Sequence, residues 1–333
     1  MRIIAGKFKG RALITMKDKN IRPTTDRVKE SIFNLLQGAI EDARVLDLFC
    51  GSGALGIEAI SRGAQSVTFC DRSQDSIETT QTNLKKVSGK INVIKKDFFT
   101  AIDYLSARGE QFDLIFLDPP YKQGLDKAAI EKIEECGILA KDGIIVVERS
   151  REDVPLELVS GYRATTTRNY GSVTVMLVEK ASACAVTGTF DPFTLGHSYL
   201  VEKALESFDE VHVVVLINPN KQATLSPEKR VKLIETSTRR LGGRVIVAYY
   251  EGLAIDYCKQ NDIQYIIRGI RNEQDLEYEK EMADWNKENG GITTIFIPAK
   301  DANISSTLVR ERLQNGEDVS ELLDSDTKDS LIK

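Results

Sequence analysis

Two series of short apolar strands, each separated by helical stretches, run along this chain of 333 residues. Strands that are apolar along their whole length and alternate with helices indicate a parallel sheet covered on both faces. The alternation breaks after residue 180 and starts again at Cys184. The sequence therefore predicts two α/β domains, 1–180 and 181–333, each a doubly wound parallel sheet. Strands are expected at 44–49, 66–71, 91–97, 112–118 and 143–148, then at 184–190, 210–218, 244–250, 263–269 and 292–298.

The first domain has two additional features. Residues 162–180 contain two β-rich runs around a tight Tyr170-Gly171 turn, which predicts an antiparallel hairpin that closes the first sheet. Residues 22–40 have the pattern of a capped amphipathic helix ahead of the first strand. At the other end of the chain, the last dozen residues are polar and are expected to fray. Other helices are predicted at 54–62, 73–87, 124–137, 196–207, 227–240, 252–260, 274–288 and 306–315.

Charge is distributed unevenly between the halves. Residues 1–180 carry 27 basic against 25 acidic side chains, a net of +2, and the remainder carries 18 against 25, a net of −7. The first thirty residues hold 9 basic against 3 acidic side chains. A basic arm of this kind indicates a polyanionic partner, and a merely solvated terminus fits the charge equally well.

The five cysteines are scattered, and none forms a C-x-x-C pair. Neither a disulfide framework nor a zinc site is therefore indicated. No stretch has the length and apolarity of a membrane span, and the first residues have no apolar signal core. We expect a cytoplasmic protein that does not contact membranes.

A glycine-rich loop follows the first strand. The run VLDLF continues into CGSGALG and a helix, so that Gly51, Gly53 and Gly56 fit the pattern G-x-G-x-x-G. Glycines at these places let the backbone turn tightly and approach a ligand closely. Asp71 ends the next strand, where a carboxylate can bind ribose hydroxyls. The pattern fits a dinucleotide pocket and an S-adenosylmethionine pocket equally well.

The sequence Asp118-Pro119-Pro120-Tyr121 closes the fourth strand, on the same rim as the glycine loop. A carboxylate and the carbonyl of Pro119 can accept both N–H groups of a base amino group and so position its nitrogen for methylation. The prolines fix the loop, and Tyr121 offers a face on which a base can stack. An ordinary strand-to-helix turn is the alternative. A nicotinamide enzyme has no use for this loop, so the motif favours methyl transfer.

These segments make the first 180 residues similar to the bacterial 16S rRNA guanine-N2-methyltransferase family. The similarity is carried by MRIIAGKFKGR, RPTTDRVKESIFNLL, DLFCGSGALGIEAISRGA and FDLIFLDPPY. It implies S-adenosylmethionine as the methyl donor and a guanine of 16S rRNA, free or in an assembling small ribosomal subunit, as the acceptor.

The same resemblance assigns roles to individual residues. Asp47 would bind the methionine end of the donor, Asp71 the ribose and Asp97 the adenine amino group, with Phe98 beside the adenine ring. Basic side chains of the arm would contact RNA phosphates, although surface solubility alone would also explain some of them. These side chains are Arg2, Lys7, Lys9, Arg11, Arg22 and Arg27.

The second series opens with TGTFDPFTLGH, in which His197 lies in the first turn of a helix. A helix N-terminus binds anions, and an imidazole there can donate a hydrogen bond to a phosphate. His212, within a strand, is expected to be a core residue instead. Cations and hydroxyls follow other strands of this domain and converge on the same rim, as a triphosphate requires. They are Lys221, Arg268, Arg271, Ser305, Ser306, Thr307 and Arg310.

Residues 184–320 resemble bacterial phosphopantetheine adenylyltransferase through GTFDPFTLGH, NPNK, IIRGIRN, DLEYE and ISSTLVRERL. The resemblance implies transfer of AMP from Mg²⁺-bound ATP to 4′-phosphopantetheine, giving dephospho-CoA and pyrophosphate, in a chain that forms a hexamer. His197 would stabilise charge at the α-phosphate, Lys221 would orient the attacking phosphate with Thr189, and Arg268 would bind the β- and γ-phosphates. No protein side chain is expected to hold the metal. The ATP pocket would be completed by Phe190, Gly196, Arg271, Glu279, Ser305, Ser306 and Thr307.

Three hypotheses therefore compete. In the first, the chain is a bifunctional methyltransferase and adenylyltransferase. In the second, one domain has become a binding or assembly module, or the methyltransferase acts on DNA adenine or cytosine. In the third, the first domain is a nicotinamide oxidoreductase, which the DPPY motif and the basic arm oppose.

Overall fold

The computed structural model describes residues 1–16, 25–159, 161–217 and 223–332. Over these ranges the chain divides into two compact units, Met1–Lys180 and Ala181–Lys333. Within the described residues no helix is long and apolar enough to cross a membrane.

The first unit is built on a seven-stranded sheet in the order β3-β2-β1-β4-β5-β7-β6. β1 to β5 run parallel, and β7 pairs antiparallel with both β5 and β6. The predicted parallel sheet and its closing hairpin are thus confirmed. The strands are β1 (Arg44–Asp47), β2 (Ser66–Asp71), β3 (Lys90–Lys95), β4 (Phe112–Leu117), β5 (Leu139–Ser150), β6 (Tyr162–Tyr170) and β7 (Val173–Lys180).

Helices cover both faces of this sheet and bury a separate apolar cluster on each. The side chain of Thr25 caps α1 by accepting from the Val28 N–H, and Ser73 caps α3 in the same way. The predictions did not include α4, which is capped by Asp97. The helices are α1 (Asp26–Leu35), α2 (Ala54–Ser61), α3 (Gln74–Leu84), α4 (Phe98–Ser106) and α5 (Leu125–Cys136).

The N-terminal arm, residues 1–16, packs on α2. The buried Glu58 carboxylate accepts the Ile4 N–H at 2.8 Å and the Ala5 N–H at 3.0 Å. Lys29, also fully buried, lies 3.3 Å from Glu58 and donates to the Arg2 carbonyl at 2.6 Å. The backbone at Gly6 touches the end of α2 so closely that a Cβ there would lie 1.8 Å from the Ser61 carbonyl oxygen. Residues 1–16 of the basic N-terminal segment are therefore part of the folded unit.

The second unit contains a five-stranded, fully parallel sheet in the order β10-β9-β8-β11-β12. This arrangement confirms the second α/β domain class. His212, in β9, is buried and its Nδ1 lies 2.9 Å from the Tyr257 hydroxyl, as a core residue would. The strands are β8 (Ala183–Gly188), β9 (Glu210–Ile217), β10 (Val245–Glu251), β11 (Tyr265–Ile270) and β12 (Thr293–Pro298).

The prediction that the last residues fray was wrong. They form a helix whose start is fixed by Asp324, which accepts the Thr327 N–H at 2.9 Å and the Ser237 hydroxyl at 2.7 Å. This network attaches the terminal helix to α7. The helices of this unit are α6 (Leu195–Ala204), α7 (Pro227–Thr238), α8 (Ala254–Gln260), α9 (Glu273–Gly290), α10 (Ser306–Gln314) and α11 (Ser325–Ile332).

Candidate active sites

A cavity of about 800 Å³ lies at the carboxyl ends of the strands in the first unit. The glycine loop after β1 and the DPPY loop after β4 line it together, although about 65 residues of sequence separate them. The cavity thus brings together most of the predicted donor and acceptor residues. Those that line it are Asp47, Gly51, Asp71, Asp97, Phe98, Asp118, Pro119, Pro120 and Tyr121.

Gly53 and Gly56 are not among the residues that line the cavity; they shape the loop and the start of α2 that follows it. Gly53 begins α2 with φ 76°, a left-handed conformation that favours glycine. A Cβ on Gly56 would lie 2.3 Å from the ring of Phe69 in β2. Gly56 is therefore required for close packing of α2 on the sheet.

Asp47 is 2% exposed at the end of β1, and its Oδ2 accepts the Gly56 N–H at 3.0 Å. The pKa of this carboxyl is raised to about 7, chiefly by burial and also by the charge of Asp71, with the Gly56 hydrogen bond opposing the rise. An ionised Asp47 is thus costly in this cavity, and a cation bound beside it would offset that cost.

Asp71 organises the loop at the end of β2. Its Oδ2 accepts the Gly51 N–H at 3.0 Å, and its Oδ1 accepts the Ser73 N–H at 2.8 Å. A carboxylate has about four acceptor positions, so both oxygens retain capacity for a ligand hydroxyl.

Asp97 and Phe98 begin α4 at the cavity rim. The Asp97 carboxylate accepts from the Thr100 N–H at 3.1 Å and from the Thr100 hydroxyl at 2.6 Å, and these bonds lower its pKa. The Phe98 ring is buried and packs against Phe49 and Phe99. Phe99, which is 46% exposed, also lines the cavity and was not predicted. The only sign of it in the sequence is that it is the second of two aromatic residues after Asp97.

The DPPY loop places a half-buried carboxylate, Asp118, next to a half-buried aromatic ring, Tyr121. The Tyr121 hydroxyl donates to Glu148 Oε1 at 3.3 Å. Glu148 is 2% exposed near the end of β5. Leu117 of β4 pairs with Val147 of the parallel strand β5, so the next residues along the two strands, Asp118 and Glu148, lie at the same level. Sequence reasoning missed this acid, although its position as the last residue of the predicted strand 143–148 was a signal for it.

Among the residues that the structure describes, the predicted RNA-contacting side chains are exposed. Arg2 lies 3.7 Å from Asp26, and the guanidinium of Arg11 stacks over Phe8 and donates to the Lys86 carbonyl. Lys7, Lys9 and Arg27 are not buried either. Arg22 lies outside the described residues.

A second cavity, of about 460 Å³, lies at the carboxyl ends of β8 and β11 in the second unit. It is lined by the His197 turn, by Arg268 in β11 and by Arg271 directly after β11. Ser305 and Thr307 flank its lining at the start of α10, where Ser305 caps the helix and Thr307 accepts from Arg310. Lys221 lies outside the described residues. Predicted residues that line the cavity are Thr189, Phe190, Gly196, His197, Arg268, Arg271, Glu279, Ser306 and Arg310.

His197 occupies the third position of α6. Its Nδ1 accepts the Thr194 N–H at 3.0 Å, so in the neutral ring the proton resides on Nε2. The pKa of His197 is lowered to about 3, chiefly by burial and in smaller part by the nearby cations Arg271 and Arg268. The ring is therefore a neutral hydrogen-bond donor.

Arg268 makes a bidentate ion pair with Glu279, which is 7% exposed on α9. Nε donates to Oε2 at 2.7 Å, Nη2 donates to Oε1 at 2.5 Å, and Nη1 donates to the Thr187 carbonyl at 2.5 Å. A guanidinium has five N–H donors, so two remain for an anion. Glu279 thus orients Arg268. The sequence predicted only that Glu279 is part of the ATP pocket.

Asp191 was not predicted and is 5% exposed beside this cavity. It accepts the Thr224 N–H at 2.7 Å and the Leu225 N–H at 3.0 Å, and Arg310 donates to its carbonyl oxygen. It fixes the chain that follows the second strand of this unit. Among the residues that the structure describes, no group of three or more His, Cys, Asp or Glu could hold a metal ion.

Comparisons with known proteins divide the chain at the same place. A family model described as conserved hypothetical protein 95 matches residues 1–179, and a cytidylyltransferase-like model matches residues 185–312. Ribosomal RNA small subunit methyltransferase D of Escherichia coli K12 is 38% identical over 154 residues, which are 46% of this chain and 76% of that protein.

The phosphopantetheine adenylyltransferase of Phocaeicola vulgatus is 46% identical over 138 residues, 41% of this chain and 91% of that protein. Among solved structures, a hypothetical protein of Thermus thermophilus aligns at 27% identity with a TM-score of 0.47, covering 54% of this chain and 99% of that one. The sequence matches confirm the predicted resemblances. Through its first unit the chain belongs to the conserved hypothetical protein 95 family and to the family of small subunit rRNA methyltransferase D, and through its second unit it belongs to the phosphopantetheine adenylyltransferases.

Proposed function

We propose that this chain is a bifunctional enzyme. Its first unit transfers a methyl group from S-adenosylmethionine to the N2 amino group of a guanine in 16S rRNA. Its second unit transfers AMP from ATP to 4′-phosphopantetheine. The observation that carries the proposal is that, in each unit, most of the predicted catalytic and cofactor-binding residues that the structure describes line one cavity at the carboxyl ends of its strands.

The residues that line the first cavity suit the charged and polar groups of the methyl donor. Asp47 presents a buried carboxylate for the ammonium of the methionine end, and Asp71 has acceptor capacity for the ribose. Asp97 and Phe98 lie on the rim for the adenine. S-adenosylmethionine supplies an electrophilic methyl group.

The chain's own groups position the acceptor. Asp118 and the Pro119 carbonyl accept the two N–H bonds of the guanine amino group, which keeps the nitrogen lone pair directed into the cavity. Tyr121, tethered at its hydroxyl by Glu148, supplies the stacking face for a base taken out of its helix. Phosphates of the rRNA are neutralised by the N-terminal basic side chains Arg2, Lys7, Lys9, Arg11, Arg22 and Arg27.

The methyl transfer is tested with tritiated S-adenosylmethionine and small ribosomal subunits that lack base methylation. After digestion the label is expected in N2-methylguanosine, and it should disappear in Asp118→Ala. Label in a different nucleoside, or only in DNA adenine or cytosine, would overturn the acceptor assignment. Glu152→Ala, an exposed acid outside the cavity, is the matched control.

In the second cavity the phosphate of 4′-phosphopantetheine attacks the α-phosphorus of ATP in line, and pyrophosphate leaves. The neutral His197 donates from Nε2 to the oxygen on which charge develops at the α-phosphate. Arg268 binds the β- and γ-phosphates with its two remaining donors, and Thr189 and Lys221 orient the attacking phosphate. Arg271, Ser305, Ser306 and Thr307 complete the pocket. Mg²⁺ arrives with ATP and is held by phosphates and water.

This second reaction is tested by following pyrophosphate release from ATP and 4′-phosphopantetheine. His197→Ala is expected to lower kcat by about 10²-fold or more, as loss of a transition-state donor does. An unchanged kcat would remove His197 from the mechanism.

We also propose that the second unit associates with further copies of itself, as a hexamer. Helix α9 exposes Tyr278, Met282 and Trp285 at 64%, 44% and 40%, and their spacing puts them on one face. An apolar face of this kind supports packing against a second copy. Sedimentation at the mass of one chain would contradict it. Because rRNA and ATP are cytoplasmic, we assign the enzyme to the cytoplasm.

A further inference from the structure

Asn83 is a buried amide that bonds two separate segments of the first unit. It lies on α3 with 0% exposure. Its Oδ1 accepts the Ile14 N–H at 2.8 Å, and its Nδ2 donates to the Ile14 carbonyl at 2.9 Å. The second N–H of Nδ2 donates a hydrogen bond to the Ser52 carbonyl, with Nδ2 2.9 Å from the oxygen. One side chain thus satisfies three backbone groups.

One of these segments is the glycine loop of the cavity. Ser52 lies between Gly51 and Gly53 and lines the cavity. Thr80, one turn earlier on α3 and also fully buried, donates to the Gly51 carbonyl at 2.9 Å. Two successive turns of α3 therefore hold two successive carbonyls of the loop, which fixes the loop from one side.

The other segment is the basic arm. Asn83 bonds both backbone groups of Ile14, in the manner of a strand partner, while the Ile14 side chain remains 47% exposed. Met1 and Met16, at the two ends of the arm, line the cavity. Glu58 and Ser61 hold the first part of the arm, and Lys86 bonds it at Arg11 and Ala12. Asn83 is the attachment at Ile14, near the end of the arm.

We propose that Asn83 is a positioning residue that sets the arm, and with it the RNA, in register with the donor cavity. The inference rests on the proposed methyltransferase function. Without this amide, three part-buried backbone groups lose their partner, and residues around Ile14 can shift relative to the loop. A displacement of about 1 Å at the reacting groups is enough to lower a rate by about 10²-fold.

Thr80→Val is the matched control. Both residues are buried on the same helix and bond the glycine loop, but only Asn83 bonds the arm. Thr80→Val is expected to raise KM for S-adenosylmethionine and leave KM for small subunits unchanged. Asn83→Leu is expected to raise KM for subunits by about tenfold and to lower kcat.

Ile14→Pro separates the two attachments in case Asn83→Leu does not fold. Proline removes the Ile14 N–H and leaves the Asn83–Ser52 bond in place. We expect a raised KM for subunits with KM for S-adenosylmethionine close to that of the unsubstituted protein. The adenylyltransferase rate of the second unit normalises the amount of protein in each assay.

The outcomes separate the two proposals. If the unsubstituted protein transfers no label to subunits, the proposed function fails and this inference fails with it. If that protein is active, and Asn83→Leu and Ile14→Pro leave KM for subunits within about twofold of the Thr80→Val value, Asn83 does not position the arm and the inference alone is overturned.

Discussion

The substitution Asp47→Asn tests the electrostatics of the donor cavity. Asn keeps an oxygen that can accept the Gly56 N–H, so the replacement removes a charge and little else. Burial raises the pKa of Asp47 from 3.8 to about 7, a difference of about three units. At 1.36 kcal/mol for each unit, ionisation of Asp47 costs the folded protein about 4 kcal/mol.

The sign follows from the raised pKa. Between about pH 4 and pH 7 the folded protein keeps a proton that the unfolded chain has released, so the contribution of Asp47 to stability falls as the pH rises. Below about pH 4 both states are protonated and the cost is absent. The free energy of unfolding of Asp47→Asn should therefore match that of the unsubstituted protein at about pH 4. At about pH 8 it should be higher by up to about 4 kcal/mol.

Hydrogen exchange of peptides from β1 and β2, followed by mass spectrometry, measures this difference in the first unit. The chain's single tryptophan, Trp285, lies in the second unit, and its fluorescence transition is an internal control that should not move. Affinity for S-adenosylmethionine should change in the opposite sense, because the amide cannot pair with an ammonium group. A stability difference that is constant with pH, or that shrinks as the pH rises, would refute the reasoning.

Three further predictions follow from the contacts. Gly56→Ala should destabilise the first unit by about 1–3 kcal/mol, seen as a lowered melting temperature, because its Cβ would lie 2.3 Å from Phe69. Because its pKa is lowered to about 3, His197 should contribute no titration near neutral pH, so any acid limb in the pH profile of kcat must persist in His197→Asn. Glu279→Gln should raise KM for ATP by about tenfold by weakening the ion pair that orients the nearby guanidinium, whereas the exposed Glu281→Gln should not.

Much of the architecture could be predicted because strand ends of a parallel sheet meet at one rim. Gly51 and Asp118 are far apart in sequence, yet each follows a strand, and they line one cavity. The same rule brought His197 and Arg268 together in the second unit. Their functional roles remain predictions.

Other features depend on contacts that no local pattern reveals. Glu58 and Asn83 look like ordinary helix residues, and their partners in the arm lie more than fifty positions away. Two helices that the sequence analysis did not predict, α4 and α11, nevertheless begin at a recognisable N-cap residue. Asp97, which the resemblance assigns to adenine binding, also caps α4. Asp324 caps α11 by accepting the Thr327 N–H.

The central claim is that two independent active sites lie on one chain, and a crossed assay of one purified protein tests it most directly. Methyl transfer to small subunits and pyrophosphate release are measured on the unsubstituted chain, on Asp118→Ala and on His197→Ala. The account predicts that the unsubstituted chain has both activities and that each variant loses one and keeps the other. An unsubstituted chain with only one activity, or a variant that loses both, would contradict it.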